Sequence, residues 1–336
     1  MSSARRCCAQ VGAGPARAED RIGCAVVGRV FSRRQPRTAT LGAAWITVPV
    51  CGEVRVVDPR DAPPGVDPEQ SSVARVYDYL LGGKYHYEID RQVAEQVART
   101  MPDVAALARV NRHLLTRVCR FLSHHTGIKQ FLDIGCGMPG TENVHEIVQR
   151  ADPQTKVLYV DYDPVVAAHA RAMLDENEFT EFVQGDVFDP VSILEQATVS
   201  EHLDWDEPIA LLFMAVLHHD GGGDRGRAAA ATQVLIDQLP SGSYVAISHL
   251  LDPADGSEDD RTVAEVLDVV HGTSMKDVTA RTRAEIKELF HGTELIPSGP
   301  NQPADIELAA RWWPDGPPGD LSVAERILAA GVAKKP

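Results

Sequence analysis

Five short apolar segments, each followed by a stretch with helical spacing, constrain this chain more than any other feature. They are KQFLDIG, KVLYVDYD, TEFVQGD, PIALLFMAVLHH and GSYVAISHLL. Strands that alternate with helices give a parallel sheet with crossover helices on both faces, a doubly wound α/β domain. Three helices are expected ahead of it. SSVARVYDYLLGG (Ser71–Gly83) opens on a serine N-cap candidate, spaces Val73, Val76, Tyr77 and Leu80 along one face, and ends on paired glycines. IDRQVAEQVARTM and VAALARVNRHLLTRVCRFLSHHT follow, divided by Pro102-Asp103. After the fifth strand a helix is expected at Arg283–Phe290, with late strands near Glu294–Pro297 and Ile327–Ala333 that could close the sheet edge.

Charge sets a boundary in front of this pattern. Residues 1–66 hold ten Arg against five acidic side chains, whereas the rest carries 23 basic and 43 acidic ones, within a chain of net charge −15. We read 1–66 as an Arg-rich extension, largely disordered or poorly ordered; a start codon placed too far upstream would leave the same composition. The acidic remainder disfavours nucleic acid and anionic membrane surfaces as partners. The longest apolar run, Ile209–Leu217, is nine residues, whereas a spanning helix needs about 20. With no apolar h-region behind Arg5-Arg6, a cytoplasmic location is expected. The six cysteines include no CxxC pair, so neither a zinc framework nor a disulfide lattice is expected. A homo-oligomer is compatible with these residues.

The chemistry gathers where strands end. Phe131-Leu132-Asp133-Ile134-Gly135-Cys136-Gly137-Met138-Pro139-Gly140 runs from a strand into a Gly-rich turn and then a helical stretch. That is the default binding crevice of an open α/β sheet, and Gly135, Gly137 and Gly140 formally satisfy a dinucleotide fingerprint. Asp133 tips the reading. Two positions before the first glycine, a carboxylate would repel a pyrophosphate but could hold a cationic amino group such as that of S-adenosylmethionine. Asp161, at the end of the second strand, stands at the distance in sequence where an acidic side chain can bind ribose hydroxyls, a test that NAD and S-adenosylmethionine both pass. Asp163-Pro164 reads as the cap and first turn of the next helix. Asp186-Val187 closes the third strand with a carboxylate beside an apolar residue, suited to an adenine edge and face, or to a helix cap.

SSVARVYDYLLGGK, MPDVAALARVNRHLL, FLDIGCGMPGTENVHEI, VLYVDYDPVVAAHARAML and VQGDVFDP together resemble an actinobacterial family of S-adenosylmethionine-dependent methyltransferases, long catalogued as a domain of unknown function. The resemblance runs from about Pro68 to the C-terminus. It implies the Rossmann-like class I fold: a mostly parallel seven-stranded sheet with a reversed last hairpin, a helical lid region at 67–128 and a core at 129–336. It implies S-adenosyl-L-methionine as cofactor, with Asp133, Gly135, Cys136 and Gly137 on the methionine side, Asp161 and Tyr162 at the ribose, and Asp186 and Val187 at the adenine. It also makes the Tyr77–Lys84 segment a lid, where the residues alone equally allow a packing helix with Tyr77 in the core. Asn111 and Arg112 either reach the cofactor carboxylate or lie on a solvated helix face. Pro139 stands where most class I turns carry a third glycine.

His218, His219 and Asp220 are placed at the end of the fourth strand, beside a methyl acceptor. Adjacent residues on a strand point to opposite faces, so a metal chelate is not expected. A histidine general base is the functional reading, and a packed histidine beside a capping one is the structural reading. The expected activity is methyl transfer to a small-molecule acceptor that no local motif identifies. The alternatives are a non-catalytic S-adenosylmethionine-binding regulator and a nicotinamide-dependent oxidoreductase.

Overall fold

Ser72 opens α1 (Val73–Leu80) by accepting a hydrogen bond from the Arg75 amide, and Gly82, at φ +79°, turns the chain away after it. The computed structural model describes residues 62–336 except 64, 141, 175–176, 222–223, 274 and 318. These residues all belong to one compact unit, Glu53–Pro336. The order expected for 1–66 therefore falls, but for 62, 63, 65 and 66, outside the described residues. Val66 itself packs beside Met138, Val165 and Val166.

Helices α2 (Glu88–Thr100) and α3 (Val104–His125) precede the sheet. Strands β1 (Gln130–Ile134), β2 (Lys156–Asp161), β3 (Thr180–Gln184), β4 (Ala210–Met214) and β5 (Tyr244–Leu250) then alternate with α4 (Val144–Val148), α5 (Pro164–Leu174), the short α6 (Pro190–Leu194) and α7 (Ala197–His202), and α8 (Gly226–Gln238). The chain continues through α9 (Glu258–His271), α10 (Arg283–Glu288), β6 (Glu294–Leu295), β7 (Glu307–Leu308), a 3-10 turn at Ala309–Arg311, α11 (Val323–Arg326) and β8 (Leu328–Lys334). The first five strands pair in parallel, in the order β3-β2-β1-β4-β5. β8 then runs antiparallel between β5 and β6, with seven pairs from Tyr244↔Lys334 to Leu250↔Leu328. The doubly wound sheet with its reversed last hairpin is thus present. It has eight strands rather than seven, because the two-residue β7 also pairs with β8, a segment too short to carry a pattern in sequence.

Side-chain alternation divides the core. Leu132, Ile134, Leu158, Val160, Leu211 and Phe213 face one way, against Leu235 and Ile236 of α8. Phe131, Val157, Tyr159 and Leu212 face the other, against Leu114, Val118 and Leu122 of α3. Asp133 and Asp161 share the parity of Phe131 and Tyr159, which aims both at the α3 side. The strand order reverses between β1 and β4, so the crevice at their carboxyl ends is the topological switch point where open α/β sheets bind ligands.

Candidate active site

The turn after β1 needs glycine twice. Gly135 and Gly137 have φ of +73° and +67°, and a Cβ on Gly135 would lie 2.3 Å from the Val216 side chain. Gly135 and Cys136 donate to Val160 O at 2.7 and 3.1 Å, and Gly137 N donates to Asp161 Oδ2 at 2.8 Å. Asp161 therefore ties the end of β2 to the turn of β1, while its Oδ1 accepts from Asp163 N. Asp163 in turn accepts from Val165 N at the start of α5, as a cap does, and from the Ser72 hydroxyl ahead of α1. The helical segment before the sheet is thus fastened beside Asp161.

A cavity of about 300 Å³ opens at these strand ends. It brings together Tyr77, Arg112, Asp133, Gly135, Cys136, Gly137, Asp161, Tyr162, Asp186, Val187 and His219 along one wall or another. His218 is not among its lining residues. Asp133 is 4% exposed, and among the described residues no donor hydrogen-bonds its carboxylate. Burial pushes its pKa up to about 7, opposed by the charge of Arg112 and reinforced by that of Asp161. Asp161 is raised to about 6, again chiefly by burial, with the amides of Asp163 and Gly137 pulling the other way. Arg112, half-buried, donates to Glu142 O at 2.7 Å and lines the cavity, so it is not a freely solvated side chain.

The α3 side contributes a hydrogen-bonded chain. Tyr77 donates to Ala108 O at 3.0 Å and accepts from Asn111 Nδ2 at 3.1 Å; Ser248 donates to Asn111 Oδ1 at 2.6 Å and accepts from Ala215 N at 2.9 Å. Burial raises the Tyr77 pKa, so its hydroxyl stays protonated. At the opposite end Asp186 is exposed and accepts from Phe188 N, and the Arg227 guanidinium lies 4.3 Å over the Phe188 ring. Tyr162 lines the cavity while 59% exposed.

β4 ends at Met214, and Ala215 leaves it at φ +56°, a strained conformation for a residue with a side chain. His218, His219 and Asp220 consequently stand in the turn beyond the strand rather than at its end, and strand alternation does not separate their rings. The two imidazoles lie 4.4 Å apart, and His218 meets His249 edge-on at 5.5 Å. Burial drives His218 well below the usual histidine range and His219 to about 4, so both are neutral at pH 7. The turn is stitched to the segment after α9: Thr279 N donates to His218 O, Gly221 N to Asp277 O, and Thr279 Oγ1 and Arg281 Nη2 each approach Asp220 at 2.7 Å. Among the described residues no cluster of His, Cys, Asp or Glu has the makings of a metal site, and no helix is long and apolar enough to cross a membrane.

With this geometry in place, the profile of the S-adenosyl methyltransferase family matches residues 59–336. The chain belongs to that family. This methyltransferase is 34% identical to a Thermobifida fusca protein provisionally named a methyltransferase, over 81% of this chain and 98% of that one, with a TM-score of 0.74. It is 33% identical to a DUF574 family protein from Streptomyces avermitilis, over 80% of this chain and 99% of that one, with a TM-score of 0.71. No curated protein matches it. The cofactor of this methyltransferase family is S-adenosyl-L-methionine. Reading the sequence did not assign Phe188, Arg227, Met275 or Asp277 to the cavity wall. Phe188 was within reach, next to Val187. Met275 and Asp277 sit in a loop without periodicity, brought to the site by the stitching just described.

Proposed function

We propose that this methyltransferase, acting in the cytoplasm, binds S-adenosylmethionine in the cavity at the β1/β4 switch point and moves its methyl group to a small-molecule acceptor that enters beside His219. In this reading residues 67–128 cover a core of 129–336, and 1–66 is an appendage. The observation that carries the proposal is the pair of buried carboxylates, Asp133 and Asp161, at adjacent strand ends in one cavity. Both have raised pKa values, and Asp133 has no partner among the described residues. Such a pair fits a ligand that brings a cation and a ribose diol, and it is ill suited to a pyrophosphate.

Asp133 would hold the amino group of the methionine portion, with Arg112 placed for its carboxylate and Gly135, Cys136 and Gly137 giving backbone close approach. Asp161 would accept from the ribose hydroxyls, with Tyr162 beside it. Asp186 would take the adenine amino group, with Val187 and Phe188 against the ring. The Tyr77–Lys84 segment would close the α3 side as a lid, with Tyr77 held by Asn111. When bound, the cofactor supplies an electrophilic methyl on a sulfonium that carries its own leaving group, so this chain's task is alignment and, where the acceptor requires it, proton removal. His219, with His218 behind it, is the neutral group positioned to receive that proton.

Asp161→Ala is expected to weaken S-adenosylhomocysteine binding by about 1–3 kcal/mol, the range for lost hydrogen bonds to a charged group, without unfolding the protein. Calorimetric affinity alongside circular dichroism checks this, and unchanged affinity would remove Asp161 from the ribose site.

A further inference from the structure

The cofactor reading leaves one side of the cavity unassigned. His219, Met275, Asp277 and Val216 line the cavity and have no part in holding the cofactor in that reading. Asp277 is half-buried, and among the described residues nothing pairs with its carboxylate, although its backbone oxygen accepts from Gly221 N. Asp277 and His219 line the same cavity, and the charge of Asp277 acts on His219 against the effect of burial. The arrangement is fixed rather than incidental, because the Asp220–Arg281 and Asp220–Thr279 bonds clamp the turn that carries His219 onto the segment that follows Asp277. The other cations of the cavity are engaged elsewhere: Arg227 lies over Phe188 near Asp186, and Arg112 is bonded to Glu142 O.

Resting on the cofactor reading above, we propose that the acceptor is a nitrogen base, whose nucleophilic nitrogen docks between Asp277 and His219 and leaves as an N-methyl cation. A carboxylate acceptor would enter against an unpaired carboxylate and is disfavoured. A hydroxyl acceptor must lose its proton, and His219, held to about 4 by burial, is weaker than a phenolate by about six powers of ten. A nitrogen that enters neutral, as a ring nitrogen or an aromatic amine does, brings a free lone pair and needs no such help. It forms the N–C bond as the C–S bond breaks and its electron pair goes to sulfur, so the positive charge that sulfur loses appears on nitrogen. Asp277 faces that charge, and Met275, whose sulfur is polarisable, also lines the cavity. Because the interaction exists only once charge has moved to nitrogen, it favours the transition state over the bound reactants.

The site can be tested without knowing the acceptor. Sinefungin carries a protonated amine on carbon where the methyl donor carries methyl on sulfur, so it places a cation on the acceptor side; S-adenosylhomocysteine does not. Wild-type protein is expected to bind sinefungin about tenfold more tightly than S-adenosylhomocysteine, the ratio of about one charge-assisted hydrogen bond. In Asp277→Asn that preference falls to near unity, while S-adenosylhomocysteine affinity stays within about twofold. A preference that survives the substitution, or is absent from wild-type protein that binds S-adenosylhomocysteine, overturns the assignment of Asp277. Failure of the wild type to bind S-adenosylhomocysteine instead sinks the cofactor reading, and this inference with it.

Discussion

Asp133→Asn is expected to make the ligand-free protein more stable at pH 8 while crippling its affinity for the cofactor. The carboxylate lies on the α3-facing side of β1, 4% exposed, with no described donor to replace the water it lost. Its pKa of about 7 exceeds the unfolded value, so between about pH 4 and pH 7 the folded protein holds a proton that the unfolded chain does not. Stability from this group is therefore present at low pH and declines as pH rises through that window, by up to about 4 kcal/mol. Asparagine has the same shape without the charge. The variant should gain about 2–4 kcal/mol at pH 8, gain little at pH 4, and bind S-adenosylhomocysteine about 10–100-fold more weakly. Urea unfolding at the two pH values and calorimetry on the same samples check this. A variant less stable than wild type at pH 8 would mean that a partner satisfies the carboxylate.

The second large effect is expected at the clamp behind the acceptor wall. Asp220 and Arg281 are 1% and 5% exposed at their side chains and meet at 2.7 Å, and among the described residues the Arg281 Nε has no partner. Asp220→Ala strands a buried guanidinium and should cost about 3–5 kcal/mol, whereas Asp220→Ala with Arg281→Met removes both charges and should recover most of that loss. A double-mutant cycle by denaturant unfolding measures the coupling. Additive losses, or a single-variant cost below about 1 kcal/mol, would show that the pair is not holding the turn.

The parts of the molecule that were legible in sequence are those written in local pattern. Alternating apolar runs fixed β1 to β5, and Ser72, with the glycines at 82 and 83, marked the first helix. Asp133, the glycines of the turn, Asp161 and Asp186 were legible because strand ends in an open α/β sheet converge on one crevice. What escaped was set by contacts distant in sequence. The nine-residue run Ile209–Leu217 reads as one long strand, yet only Ala210–Met214 is strand, and the left-handed Ala215 redirects the rest. That moves the histidines into a turn and leaves His218 behind the wall. Arg75 and Asp78, which look like solvated charges on α1, are buried, Arg75 against Asp90 and Asp78 against His86. Asp220 finds Arg281 61 residues away, and no spacing rule announces it. The depressed basicity of His219 follows from burial and is likewise invisible in sequence.

The central claim is that the two raised carboxylates at the β1 and β2 ends hold S-adenosylmethionine through its cation and ribose. Calorimetric titration with S-adenosylhomocysteine, at pH 6 and pH 8 and in two buffers of different ionisation heat, tests it most directly. A bound cation favours the ionised form of Asp133 and lowers its pKa, so binding at pH 6 must expel protons. The account predicts micromolar-range affinity that is tighter at pH 8, proton release at pH 6, and no heat from NADH or NADPH. Saturable NADH binding, or affinity for S-adenosylhomocysteine that is indifferent to pH across this range, would contradict it.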